Sequence, residues 1–305
     1  MFGAHQRKAT GIHLAAQALH IVELTRHRGE VVLDNLVRET LPFACTAARL
    51  AGDEREELAR FIRKVGKERR LSYVNPGVAL GAHAFLLKRL TWIHGSDQLN
   101  REHLKWEVQQ VLPDRLSEYV LDFAKTPQGY FLVAARKRAV QLYRALCRNG
   151  GLRHPLFDIG PFALYNALEA SGKLAGEEME ILVDISPPEA QVLLLNAGQL
   201  QAVSCCNWEG ESPAMQRQAL VERVQQLVEA ESSRRPPSRL WLSGTAATDP
   251  EWKAILSDKV SVPMAVFDPF SGVNDSPLEE GASPAVRAAC AVAAGLAYRG
   301  LSEND

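Results

Sequence analysis

The chain lacks most of the patterns by which a sequence declares a chemistry. No Cys-x-x-Cys occurs, and the five cysteines, Cys45, Cys147, Cys205, Cys206 and Cys290, are scattered and odd in number. That argues against a disulfide framework and a cysteine metal site, and predicts reduced thiols. Adjacent Cys205 and Cys206, read on a strand, point to opposite faces. No P-loop, His-Glu-x-x-His or Ser-His-Asp pattern is present. No apolar run reaches the roughly 18–20 residues that span a bilayer. Residues 1–8, MFGAHQRK, hold no apolar core of signal-peptide length, so the protein is expected in the cytoplasm. Charge of one sign is missing too. The formal net charge is −1, so no global field draws the chain to nucleic acid or acidic lipid, and a local basic patch stays open.

What is present suits a folded α/β protein. The 305 residues allow one large domain or two medium ones, and 46% hydrophobic with 23% charged residues is ordinary for a globular chain. Residues 11–42 read as three strands with a turn at Arg28-Gly29-Glu30. Residues 53–69 read as a helix, acidic at its start and basic at its end, with Leu58, Phe61, Ile62 and Val65 on one face and a solvated charged face opposite. Strands follow at 78–80 and 85–93, a helix at 98–112 closed by Pro113, and a strand pair around Pro127-Gln128-Gly129. A helix at 138–148 ends on Asn149-Gly150-Gly151, and Pro161 opens the helix that follows the strand at 156–159.

Residues 171–178 read as a boundary, after which the order restarts. Three strands at 181–206 lead to a helix at 213–231, a linker at 234–238, a strand at 240–242, a helix at 249–257 and a strand at 262–267. Residues 275–281 are expected to be a mobile acidic loop, and residues 285–298 one Ala-rich helix that packs closely on a sheet. Each half is thus a three-strand meander followed by alternating helix and strand.

Several segments together resemble the PilM family, actin-like cytoplasmic proteins of type IV pilus assembly. They are Leu19-His20-Ile21-Val22-Glu23-Leu24, then Lys105 to Pro113 (KWEVQQVLP) followed by Leu121-Asp122-Phe123, then Leu132-Val133-Ala134-Ala135-Arg136. Phe157 to Leu164 (FDIGPFAL), Asp268-Pro269-Phe270 and Ala293 to Gly300 (AAGLAYRG) complete the series. The resemblance covers nearly the whole length. It implies a two-domain actin-like (ribonuclease H-like) α/β fold around a nucleotide cleft. The first domain would cover 1–174, with a small α/β subdomain inserted near 83–154, and the second 175–305. It also implies a partner: the short cytoplasmic N-terminus of a single-span, PilN-like inner-membrane protein. The protein would then be peripheral at the inner membrane through that partner, with no role in nucleic-acid binding.

The same resemblance locates the nucleotide loops and shows how they depart from the family. The first loop, Gly-x-Asp-Ile-Gly-Ser in the family, is occupied by Gly11, His13, Leu14, Ala15 and Ala16. Neutral His is a poor ligand for a hard cation, and the Ala15 methyl intrudes where backbone N–H groups would approach phosphate. The second loop keeps Asp184-Ile185 but continues Ser186-Pro187-Pro188, and proline supplies no N–H donor. Asp184 could hold a metal-bound water or serve a turn. The adenosine-side turn corresponds to Ser243-Gly244-Thr245 and keeps one glycine. A vestigial cleft at His13, Ala15, Ala16, Asp184, Ser186, Gly244 and Thr245 is therefore expected, with no cofactor, no metal and no catalytic residue; ATP with Mg²⁺, bound or hydrolysed, is the alternative. His13, His20 and His27 recur every seven residues, an interval without ligand meaning on a strand hairpin.

The partner groove is expected on the inserted subdomain, where a peptide could add to a strand edge. Its candidate walls are Leu86, Leu90, Trp92, Trp106, Leu121 and Phe123, which could equally be the subdomain's own core. The overall reading is a non-catalytic scaffold. An active actin-like ATPase, or an adaptor of a GspL-like type II secretion or mannose-sensitive-type pilus system, remains open at this point.

Overall fold

The first sheet begins as two successive hairpins. The computed structural model describes residues 7–15, 17–91, 97–126, 129–174, 178–231, 236–278 and 282–302. Strands β1 (Arg7–Leu14), β2 (Ala18–His27) and β3 (Glu30–Thr40) form an antiparallel meander. The β2–β3 turn places Arg28 and Gly29 at positive φ, 52° and 87°, the geometry of a two-residue hairpin matched to strand twist. Strands β4 (Pro76–Leu80) and β8 (Leu156–Ile159) extend the sheet in parallel, giving the order β3-β2-β1-β4-β8.

A buried carboxylate pins this sheet to the loop before β4. Glu23 Oε1 accepts from the Ser72 N–H at 2.8 Å, the Ser72 hydroxyl at 2.7 Å and the Tyr73 N–H at 3.2 Å. Oε2 accepts from Asn35 Nδ2 at 2.7 Å and lies 3.4 Å from Lys8 Nζ. Burial alone would raise the Glu23 pKa, but Ser72, Lys8 and Asn35 hold it below the ordinary value.

The second half repeats the plan. Strands β9 (Met179–Ser186), β10 (Glu189–Asn196) and β11 (Gln199–Asn207) form a meander, and β12 (Arg239–Ser243) and β13 (Met264–Val266) add in parallel. The order β11-β10-β9-β12-β13 is that of the first sheet, so the repeat inferred from the order of elements is a repeat of topology. A third sheet, β5 (Phe85–Thr91), β7 (Gly129–Arg136) and β6 (Tyr119–Thr126) in the order β5-β7-β6, carries helix α3 (Asp97–Val111) on one face.

The outer helices account for the apolar faces. Helices α1 (Ala47–Ala51), α2 (Glu54–Glu68) and α4 (Lys137–Gly150) cover the outer face of the first sheet with Leu50, Leu58, Ile62, Val65, Tyr143 and Leu146. Helix α4 therefore belongs to the core of the first sheet and lies outside the three-stranded one. Helix α1 escapes the sequence pattern because five residues are too few for a period; its start is marked by Thr46 Oγ1 accepting from the Arg49 N–H. Helices α6 (Pro213–Glu231) and α7 (Pro250–Lys259) cover the outer face of the second sheet.

Between the two sheets lie α5 (Gly160–Ala170) and α9 (Ala291–Ser302), preceded by α8 (Pro284–Ala289). The single helix expected over 285–298 is thus two, divided at Cys290. The break lets α8 reach the second sheet, where the Gly244 N–H donates to Ala288 O at 3.0 Å, while α9 turns against the first. A Cβ on Gly11 would sit 1.8 Å from Ala293 O, and one on Gly295 1.7 Å from Ala163 O. Only glycine permits backbones this close.

The loop at 275–281, expected to be mobile, is anchored in its described part. Arg287 bonds Asp268 at 3.0 Å and Asp275 at 2.7 Å, and Asn274 exchanges backbone hydrogen bonds with Val31 and Leu33 on β3. Residues 279–281 lie outside the described residues, as do 127–128, 175–177 and 232–235 from the turn, boundary and linker expected above.

Gly295→Ala is expected to lower the unfolding free energy by about 3 kcal/mol or more, because backbone rather than a flexible side chain must move. Urea titration checks this, and a variant as stable as the parent would show that α9 can shift freely.

Candidate functional site

The β1–β2 turn is built from apolar packing and internal hydrogen bonds. His13 and His20 are cross-strand partners, both buried, with ring centroids 5.7 Å apart. His13 Nδ1 and both nitrogens of His20 have no hydrogen-bond partner among the described residues. Burial pushes the His13 pKa down to about 4, and burial, then His13 and Arg38, pushes that of His20 lower than usual. Both rings are therefore neutral at pH 7. Ala15 is buried, and its N–H donates to Ala18 O at 2.9 Å. Ala16 lies outside the described residues.

Opposite, the structure brings Asp184, Ser186, Gly244 and Thr245 together. Strand β9 carries Asp184 beside Ser243 of β12 in parallel register. Asp184 accepts from the Ser243 hydroxyl at 2.9 Å and the Ser186 hydroxyl at 3.3 Å. The Thr245 N–H donates to Ser186 Oγ at 3.2 Å, and the Ala246 N–H to Ile185 O at 2.9 Å. Gly244 adopts φ +90°, and a Cβ there would lie 2.4 Å from Ile185 O. The backbone donors at 244, 245 and 246 are thus all engaged within the protein. Burial raises the Asp184 pKa to about 6, with the two hydroxyls opposing.

Beside His13 there is almost no open space. The gap lined by His13, Gly81 and Gly160 on one side and Glu189, Gln191 and Cys205 on the other is ≈ 10 Å³, about the room one water needs. The Gln191 amide lies against Gly160, 2.5 Å from where a Cβ would be. Among the described residues no three metal-ligating side chains cluster.

A larger open space lies elsewhere. A cleft of ≈ 850 Å³ lies between the three-stranded sheet and α5, walled by Val120, Asp122, Phe131, Val133, Phe162 and Tyr165. Among the described residues β6 pairs with β7 alone, which makes it an edge strand there, and it runs along this cleft. Val120 and Phe123 are 49% and 38% exposed. At the cleft floor Asp158 of β8 meets Arg299 of α9 at 2.6 Å.

The sequence-derived groove residues divide. Leu86, Leu90 and Leu121 face α3 and pack in the core beneath the small sheet. Trp106 is 56% exposed on α3, where it stacks on His103, and it does not line the cleft. Phe123 lines it, and Trp92 lies outside the described residues. The cleft face of β6 and β7 is the alternate one: Val120, Asp122 and Ala124 opposite Ala135, Val133 and Phe131. Sequence reasoning missed it because Asp122 and Thr126 make that face look solvated, while Leu121 draws attention to the other.

Comparison with known proteins gives a consistent picture. The family model described as type IV pilus assembly protein PilM matches residues 11–201. A solved PilM-PilN type IV pilus biogenesis complex is similar at 22% identity, covering 96% of this chain and 98% of the other, with a TM-score of 0.79. A protein of Bacteroides thetaiotaomicron with an actin-like ATPase fold is similar at 10% identity, covering 90% and 94%, with a TM-score of 0.54. Ethanolamine utilization protein EutJ of Carboxydothermus hydrogenoformans is similar at 11%, covering 95% and 89%, with a TM-score of 0.52. At these identities the structural likenesses speak for the fold, which is actin-like. No curated protein matches. Among the described residues no helix is long and apolar enough to cross a membrane.

The neutral, buried His13 makes stability depend on pH. Its folded pKa of about 4 lies below the ordinary 6.5, so the unfolded chain binds more protons between these values and stability falls as pH drops through them. At pH 5 the cost is about 2 kcal/mol. Asp184, raised to about 6, acts in the opposite sense between its ordinary 3.8 and 6, since the folded chain then binds the extra proton. Stability at pH 5 relative to pH 8, read from urea titrations, should therefore be about 2 kcal/mol more favourable in His13→Leu than in the parent, and an unchanged difference would contradict the assignment.

Proposed function

The chain belongs to the type IV pilus assembly protein PilM family, whose model matches more than half of it, and on that footing we propose that it is a non-catalytic docking scaffold of actin-like fold. Its ligand is the cytoplasmic N-terminal peptide of a single-span, PilN-like inner-membrane protein, and the docking site is the cleft beside β6. The observation that carries this is the edge of β6 lying open along a cleft of ≈ 850 Å³ with apolar walls. An added strand gains main-chain hydrogen bonds from the edge and side-chain pockets from the wall. The eight residues of β6 pair with an extended segment of about 26 Å. Phe131, Val133, Phe162 and Tyr165 suit apolar side chains, and Asp122, Lys125 and Arg144 suit a polar rim. The similarity to a PilM-PilN complex supports a partner of this kind. Such a partner would hold the protein at the cytoplasmic face of the inner membrane.

The nucleotide cleft of the fold is vestigial in this reading. The residues present do not fit a magnesium nucleotide. Mg²⁺ takes carboxylate and water oxygens in octahedral array, whereas His13 is a buried neutral ring and Asp184 is tied to two hydroxyls. Phosphate needs free N–H groups, whereas Pro187 and Pro188 have none and the 244–246 turn has used its own. The space beside His13 is ≈ 10 Å³, room for about one water.

Two measurements test these readings. Val120→Arg, at an exposed position on the cleft wall, should fold normally and bind a synthetic peptide of the partner's cytoplasmic N-terminus at least tenfold more weakly; unchanged affinity would remove the site from β6. Calorimetry with Mg-ATP should give no heat of binding at millimolar concentration. Micromolar binding that Asp184→Ala weakens would restore the nucleotide site.

A further inference from the structure

The near-neutral total charge conceals a strongly basic face on α4. Residues 136–157 contain Arg136, Lys137, Arg138, Arg144, Arg148 and Arg153 and no Asp or Glu, in a chain whose formal net charge is −1. All six are exposed. The helix buries Tyr143, Leu146, Cys147 and Gly150, so Lys137, Gln141, Arg144 and Arg148, at intervals of four, three and four, form the opposite stripe. Arg136 pairs with Asp114 at 2.9 Å. Lys137, Arg138, Arg144, Arg148 and Arg153 have no carboxylate partner among the described residues. Helix α2 packs beside α4 and adds exposed Arg60, Arg63 and Lys67. Of the acids on α2, Glu56 accepts from Asn149 Nδ2 at 2.8 Å and Glu68 lies 3.8 Å from Lys64, while Glu54 and Glu57 sit in its first turn.

We propose that this α4 face is a second docking surface, one that rests on the anionic headgroups of a membrane. Unpaired, exposed cations of one sign on one helix face match a negatively charged lipid surface, whose attraction acts over about a Debye length. Placement favours lipid over nucleic acid. Arg144 belongs to the stripe and to the wall of the cleft, so a membrane protein's N-terminus held there brings the stripe toward the bilayer. The stripe also presents no exposed aromatic platform for bases, since Tyr143 is buried. This placement rests on the partner reading above, whereas lipid binding itself can be measured without the partner. The lipid contact would add a second, weak attachment to that of the peptide, and two tethered contacts bind more tightly than either alone.

The test is co-sedimentation of the whole protein with phosphatidylcholine vesicles containing or lacking phosphatidylglycerol. Binding should require the anionic lipid, disappear in high salt, and fall at least tenfold in the triple variant Lys137→Glu, Arg148→Glu, Arg153→Glu. None of these three residues lines the cleft, so peptide affinity should be unchanged in that variant. A control, Lys253→Glu with Lys259→Glu on α7, should still bind vesicles. The proposal fails if anionic lipid gives no binding, if the control loses as much as the triple variant, or if duplex DNA is bound and vesicles are not. Vesicle binding with no peptide binding would leave this proposal standing and remove the cleft assignment instead.

Discussion

The structure depends on how closely α9 lies against its neighbours. Backbone meets backbone at Gly11–Ala293 on one side and at Gly295–Ala163 on the other, where no Cβ fits. This helix and α5 fill the space between two sheets of identical strand order. The alanines of α9 are therefore a packing requirement: a thicker helix would separate the sheets, and with them the turns at the ends of β1 and β9. The contacts of Gln191 with Gly160 and the near-absence of space beside His13 are set by that spacing.

Within this frame the polar groups at the interlobe turns are turned inward. Asp184, Ser186, Ser243 and the Thr245 N–H satisfy one another. Satisfied buried polar networks rigidify, because each member would lose its partner if the loop moved. The edge of β6 and the cleft beside it have the opposite character, with half-exposed apolar side chains and room for a guest. The molecule thus has a tightly bonded centre and an open flank.

Much of this was legible in the sequence. Hydrophobic period, acidic-to-basic helix order and glycine or proline stops located most elements to within a few residues, because each signal is local. The departures of these turns from the family's loops were readable as residue types, His13 in the first and Pro187-Pro188 in the second. The internal use of the 244–246 donors was not, since the hydrogen bonds that join β9, β12 and α8 link residues distant in sequence, such as Ser186 with Thr245 and Gly244 with Ala288. The cleft beside β6 was legible only in part. Alternation identified β6 and β7 as strands, but not which face α3 would cover, and the more apolar face proved to be the covered one. The break at Cys290 had no local signal, as neither glycine nor proline marks it; it is imposed by two different packing partners.

The Asp158–Arg299 pair has a mechanical implication. Arg299 lies near the end of the helix that separates the two sheets, and Asp158 sits on the last strand of the first sheet, just ahead of α5. Both line the cleft floor. The ion pair therefore tethers the helix between the two sheets to the strand that leads into α5, at the wall of the cleft.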